Sequence, residues 1–190
     1  MAANRIGKTE GAGGYELTAH LTGLYPHWWR GRTFDHPVSA WAAGKTNETT
    51  RDILQQKLFG DLVAKAPDRP KGISGTGMIP GELIGRPTWK VGLPDLIDNI
   101  PILHSSGGYS HLGMKSYQQG AGSFEGTEKA VIWLDEEPPS DVYGECLIRT
   151  AGTTGVDNSD GIIILTFTPL LGLSNVVMSF MPAASRPTRD

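Results

Sequence analysis

The chain has 190 residues, 38% hydrophobic and 19% charged, with a net charge of −3 from 17 basic and 20 acidic side chains. That length supports one sizeable core. The lone cysteine, Cys146, excludes an internal disulfide and a cysteine-rich zinc site, and no apolar run approaches the roughly 20 residues that cross a bilayer. An acidic balance is a poor footprint for gripping nucleic acid unaided, so DNA contact would need a local basic patch, further domains or an oligomeric ring.

In chain order, Lys8 to Gly23 reads as a helix, weakened by Gly11, Gly13 and Gly14 at about 1 kcal/mol each relative to alanine. Tyr25 to Arg30 is an aromatic loop. In it Tyr25, Trp28, Trp29 and the nearby Phe34 either pack over a sheet edge or form a partner-binding patch. A short buried strand over Val38–Ala43 precedes a helix from Glu48 to Phe59, capped by Thr46 or Asn47 and stopped by Gly60. Its apolar stripe is Ile53, Leu54 and Leu58.

The segment from Val63 to Pro94 is broken by proline and glycine, with short helices expected near Glu82 and over Leu93–Asn99. Ile100–His104 and Ser110–Lys115 read as paired strands around the Ser105–Gly108 turn. Gln118–Phe124 reads as a short helix and Ala130–Leu134 as an apolar strand. A helix capped by Ser140 or Asp141 then runs to Arg149, followed by strands over Gly161–Thr166 and Asn175–Met181. Strands apolar at every position and separated by helices predict an α/β fold, a mostly parallel sheet with helices on both faces. The tail 183–190 is polar, proline-containing and expected to be disordered.

Gly-Lys-Thr, the end of a phosphate-binding loop, occurs twice, at Gly7-Lys8-Thr9 and at Gly44-Lys45-Thr46. Such a tripeptide arises by chance in roughly one chain of ten at this length. Neither copy has glycine at the first position of the full motif, where Ala2 and Ser39 stand. The second copy follows a strand and precedes a good helix, but the strand leaves few residues for a loop. The first has the loop-like Asn4-Arg5-Ile6 and a second cation, Arg5. The local pattern leaves both open.

Val131-Ile-Trp-Leu-Asp135-Glu136 is an apolar strand ending in two carboxylates, as a nucleotide hydrolase needs for holding Mg²⁺ and for aligning water. Thr166-Phe-Thr168 places hydroxyls at the end of the next strand, the edge where open α/β sheets bind ligands. Arg149 is either a charge-stabilising arginine or a solvated helix end. The five histidines show no metal-ligand spacing.

Taken in order, these segments resemble the ATPase domain of the tailed-phage terminase large subunit, a P-loop NTPase. The similarity runs from Ala2 to about Met181. It is carried by Ala2–Glu10, Tyr25–Phe34, Lys115–Gly120, Trp133–Pro139 and Thr166–Pro169.

The resemblance makes the first Gly-Lys-Thr the Walker A end, with Asn4, Arg5, Ile6, Gly7, Lys8 and Thr9 on the nucleotide. It implies Asp135 and Thr9 on Mg²⁺, Glu136 as the catalytic glutamate assisted by Arg5, and Thr166 with Thr168 coupling hydrolysis to movement. ATP and Mg²⁺ are the implied cofactors. Viral double-stranded DNA, portal protein, the terminase small subunit and further copies in a ring are the implied partners, in the host cytoplasm and without a membrane.

The family has a strand and an adenine-contacting segment before Walker A and a nuclease domain after the ATPase. The expectation is therefore a partial ATPase domain over 1–182 that lacks its first core strand and hydrolyses ATP weakly or not at all alone. The alternative is a non-catalytic prophage remnant serving as an interaction module.

Overall fold

The computed structural model describes residues 7–63, 72–152, 161–169, 172 and 174–181. Asn4, Arg5 and Ile6 and the tail 183–190 lie outside them.

The chain enters through a helix, α1, that is π-helical over Thr9–Gly14 and α-helical over Tyr15–Thr22. It ends at Gly23, whose φ of 68° is the left-handed conformation glycine adopts without penalty. Strand β1, Ser39–Gly44, leads into helix α2, which runs through Asn47–Thr49, Thr50–Gln55 and Gln56–Phe59. Thr46 caps α2: its hydroxyl accepts from Thr49 N, and the Thr49 side chain returns the bond to Thr46 N. Gly60 stops it.

Two two-residue strands, β2 (Leu62–Val63) and β3 (Gly72–Ile73), pair with each other. The main sheet has the order β4-β5-β6-β1-β7-β8, with β4 Thr88–Trp89, β5 Ile97–Leu103, β6 Tyr109–Ser116, β7 Val131–Asp135 and β8 Ile162–Thr166. Strands β6, β1, β7 and β8 are parallel, while β4 and β5 join antiparallel at one side. The fold is α/β, with a six-stranded, mostly parallel sheet.

Helices α1 and α2 lie on one face, where Leu17, Leu21, Leu54, Leu58 and Phe59 pack against Ala42, Met114 and Trp133. Each fully buried leucine contributes about 1.5–3 kcal/mol. The opposite face packs Trp41, Phe124, Ile132 and Leu134 against Val142 and Cys146 of helix α3, Ser140–Thr150. Cys146 is fully buried, and burial pushes its thiol up to about 12.

Two expected elements are different. Leu93–Asn99 is no helix: Pro94 and the left-handed Asp95 (φ 66°) break it, and β5 starts at Ile97. Asn175–Met181 is no strand but a helix, α4 (Asn175–Ser179), because the Ser174 hydroxyl accepts from Val177 N and so caps the turn. A short apolar run carries too little periodicity to separate the two. Gln118–Phe124 is two 3₁₀ turns, Tyr117–Gln119 and Ala121–Phe124.

The aromatic loop divides. Phe34 is buried, its N–H donates to Tyr25 Oη at 2.9 Å, and Trp29 Nε1 donates to Arg32 O. Trp28 is exposed and stacks on Tyr15 with centroids 6.1 Å apart.

The glycines that weaken α1 have unequal reasons to be there. A methyl on Gly13 would overlap the Trp133 indole beneath it, whereas Gly11 faces open space. Gly13→Ala is therefore expected to lower stability by about 1–3 kcal/mol through overpacking. Gly11→Ala should be neutral or stabilising by up to about 1 kcal/mol. Urea midpoints of the two variants check this.

Candidate active site

The parallel strands end together at one edge of the sheet, and the N-terminus of α1 reaches that edge over β7 and β8. Trp133, on β7 beneath α1, donates through Nε1 to Thr166 Oγ1 on β8 at 2.7 Å. Thr166 Oγ1 in turn donates to Asp135 Oδ1 at 2.6 Å. Thr9, in the first turn of α1, donates its hydroxyl to the same oxygen at 3.0 Å, across 126 residues of sequence. Lys8 Nζ donates to Thr168 Oγ1 at 2.6 Å. A cleft of about 450 Å³ lies between these groups, lined by Gly7, Lys8, Thr9, Glu136, Thr166 and Thr168 together with Glu10 and Lys57.

Asp135 is 7% exposed. Burial raises its carboxyl above the ordinary range, opposed by the hydrogen bonds from Thr166 and Thr9. Glu136 follows in the left-handed region at φ 65°, which costs a side-chain-bearing residue about 1–2 kcal/mol. Two contacts hold it there. Its N–H donates to Thr166 O at 3.1 Å, and Tyr117 Oη lies 2.8 Å from the Asp135 carbonyl and 3.1 Å from that of Glu136. Burial, reinforced by the Asp135 charge, pushes the Tyr117 phenol upward, so it stays a neutral donor.

The structure thus brings together Gly7, Lys8, Thr9, Asp135, Glu136, Thr166 and Thr168. Asn4, Arg5 and Ile6 lie outside the described residues. Thr46 of the second Gly-Lys-Thr is occupied by the α2 cap, and Gly44 is pressed against the Thr50 hydroxyl. Neither Lys45 nor Thr46 lines the cleft. Arg149 pairs with Glu145 at 2.9 Å and donates to Gly126 O, at the far end of α3 from the cleft.

Sequence reasoning missed Lys57, which forms an ion pair with Glu10 in the cleft wall, and the Tyr117 hydroxyl. No local signal reveals Lys57, 47 residues from its partner. Among the described residues no group of three or more histidine, cysteine or acidic side chains is placed to hold a metal ion. No helix among them is long and apolar enough to cross a membrane.

A family described as "Terminase large subunit, T4likevirus-type, N-terminal" matches residues 1–188. The chain belongs to the terminase large subunit family. It is 36% identical to the terminase large subunit of Salmonella phage P22, over 98% of this chain and 38% of that protein. The chain therefore spans well under half the length of that relative. No solved structure matches it significantly.

For this terminase chain two outcomes follow from the site. Asp135 is raised above 3.8 when folded, so its charge destabilises the fold as pH climbs from 3.8 through the folded value. Asp135→Asn, whose amide oxygen still accepts from both threonines, should gain stability over the parent across that window. The gain should vanish below it, as urea titrations at acid and neutral pH would show. At the next position, Glu136→Gly should be more stable than Glu136→Ala by about 1 kcal/mol, because only glycine relaxes at positive φ. Thermal melts of the two variants compare them directly.

Proposed function

We propose that this chain is a P-loop ATPase, the motor part of a terminase large subunit, which couples ATP hydrolysis to movement of viral double-stranded DNA into a procapsid. The observation that supports it most is the meeting of Thr9 with Asp135, at 3.0 Å, beside Lys8 and Thr168. A hydroxyl and a carboxylate are the hard oxygen donors that Mg²⁺ takes alongside nucleotide phosphates. Asp135, buried and held by two hydroxyls, is directed toward the mouth of α1. Thr9 and Asp135 would hold the ion, which supplies charge neutralisation to the phosphates when bound.

In this reading the Lys8 ammonium leaves Thr168 for a phosphate oxygen, with Arg5 as a second cation. The backbone N–H groups at the start of α1 add donors. Glu136 lines the same cleft on a strained turn, which suits a carboxylate that must align water and accept its proton. Thr166 and Thr168, whose hydroxyls contact Asp135 and Lys8, would sense phosphate loss and pass it to β8. Portal protein, a small terminase subunit and further copies of the chain in a ring, in the host cytoplasm, are the partners and setting this reading entails.

The test is binding and turnover of Mg-ATP. Calorimetry should show binding that Lys8→Ala removes and Glu136→Gln keeps. Any hydrolysis should fall by at least about 100-fold in Glu136→Gln and stay unchanged in Lys45→Ala. No heat with Mg-ATP, or loss of turnover in Lys45→Ala but not in Lys8→Ala, would sink the assignment.

A further inference from the structure

A net charge of −3 gives the chain no general attraction for a polyanion, so a grip on one has to come from a local concentration of positive charge. The sheet face opposite α1 and α2 carries such a concentration. Helix α3 covers this face over β7 and β8. Over β1 the 3₁₀ turn Ala121–Phe124 lays Phe124 on Trp41, with ring centroids 5.7 Å apart, and three lysines gather around that pair.

Lys115 rises from β6 between two rings, its Nζ 4.8 Å from the Trp41 centroid and 5.8 Å from that of Phe124. Lys129, just before β7, brings its Nζ to 5.0 Å from the same indole. Trp41 can lie flat toward β6 because its neighbour there is Gly113, where a Cβ would stand 2.8 Å from the indole Cδ1. Lys90, following β4, completes the group. Burial lowers all three ammonium pKa values, and the charge on Lys115 lowers those of Lys90 and Lys129 further.

Counter-charge is scarce. Among the described residues none of the three makes an ion pair with a carboxylate, and Asp98 is the acidic side chain felt by Lys90 and Lys115. Each ammonium donates to one neutral oxygen: Lys129 to Ser39 Oγ at 2.7 Å, Lys90 to Gln119 Oε1 at 3.2 Å, and Lys115 to Ser123 O. An ammonium carries three donors. Lys129 is buried, 9% exposed, and Lys90 and Lys115 are partly buried; holding three such cations together is unfavourable unless an anion shares them.

We propose that Lys90 and Lys115 bind the backbone phosphates of duplex DNA, with the buried Lys129 adding its positive charge and Trp41 holding the Lys115 and Lys129 ammoniums in place. The choice of DNA as the polyanion rests on the packaging function proposed above; the site itself rests on the geometry. A duplex fits better than a single strand, since strand binders offer exposed rings for bases to stack on. Here the Trp41 ring is 5% exposed, and Phe124 is buried.

The experiment measures anisotropy of a short fluorescein-labelled duplex against the full chain, without nucleotide, across a salt series. Losing two phosphate contacts should flatten the slope of log K against log salt by about 1.8, at about 0.9 per contact. That is the result expected of Lys90→Gln/Lys115→Gln, with at least about tenfold weaker binding at low salt. Lys45→Gln/Arg86→Gln removes the same charge elsewhere and should keep the parent slope. Lys90→Glu, at the half-buried rim, should abolish binding and serves if the double variant does not fold.

An unchanged slope in the lysine variants, an equal loss in the control pair, tighter binding of single strand than of duplex, or no binding by the parent would each overturn the site. Duplex binding that fails while Mg-ATP is still hydrolysed counts against this site alone. Hydrolysis that fails while binding persists counts against the ATPase reading alone.

Discussion

One oxygen atom organises the edge of the sheet where the parallel strands end. Asp135 Oδ1 receives hydroxyls from Thr9 and Thr166, and so ties together the first turn of α1 and the ends of two neighbouring strands. Because the carboxylate is buried, those two bonds are what offset its desolvation, and each hydroxyl is oriented by the charge it serves. The constraint propagates outward. Thr166 is held from the other side by the Trp133 indole, and that indole can fill the space under α1 only because Gly13 has no side chain. A helix of poor propensity is thereby fixed by what it packs on.

The two faces of the sheet divide the work. The face under α1 and α2 is a continuous apolar layer that sets the height of the cleft above the strand ends. The other face is apolar beneath α3 and the 3₁₀ turn Ala121–Phe124, and turns cationic toward the antiparallel side of the sheet. Tyr117 joins the two regions: it follows β6 directly after Lys115 and Ser116, and its hydroxyl reaches the carbonyls of Asp135 and Glu136. Glu136 keeps a left-handed backbone through this bond and its own to β8, so the strained turn is supported from the neighbouring strand and from the residue that follows β6.

The α/β class and the central strands were legible in the sequence, because Val131–Asp135 and Ile162–Thr166 are runs whose apolar character persists on both faces of a sheet. The α2 helix was equally plain, since Thr46 and Gly60 mark its ends. What failed was governed by single hydrogen bonds or single dihedrals. The Ser174 cap decides helix over strand for Asn175–Ser179, and Asp95 in a left-handed turn decides strand over helix before Ile97.

At the site, pattern alone left two Gly-Lys-Thr copies open. The separation is tertiary: Thr46 is used up locally in a cap, whereas Thr9 reaches Asp135 over a distance in sequence that no motif encodes. Lys57 and Tyr117 were invisible for the same reason. The lysine cluster is three residues from three separate segments, assembled only by the order of the strands.

Cys146 has a practical consequence. It is the single thiol of the chain, fully enclosed between α3 and the strands, and its high pKa keeps it protonated at neutral pH. A thiol reagent can therefore modify the protein only while α3 stands away from β7. The rate of alkylation becomes a clock for that opening, built into the native sequence and needing no engineered probe.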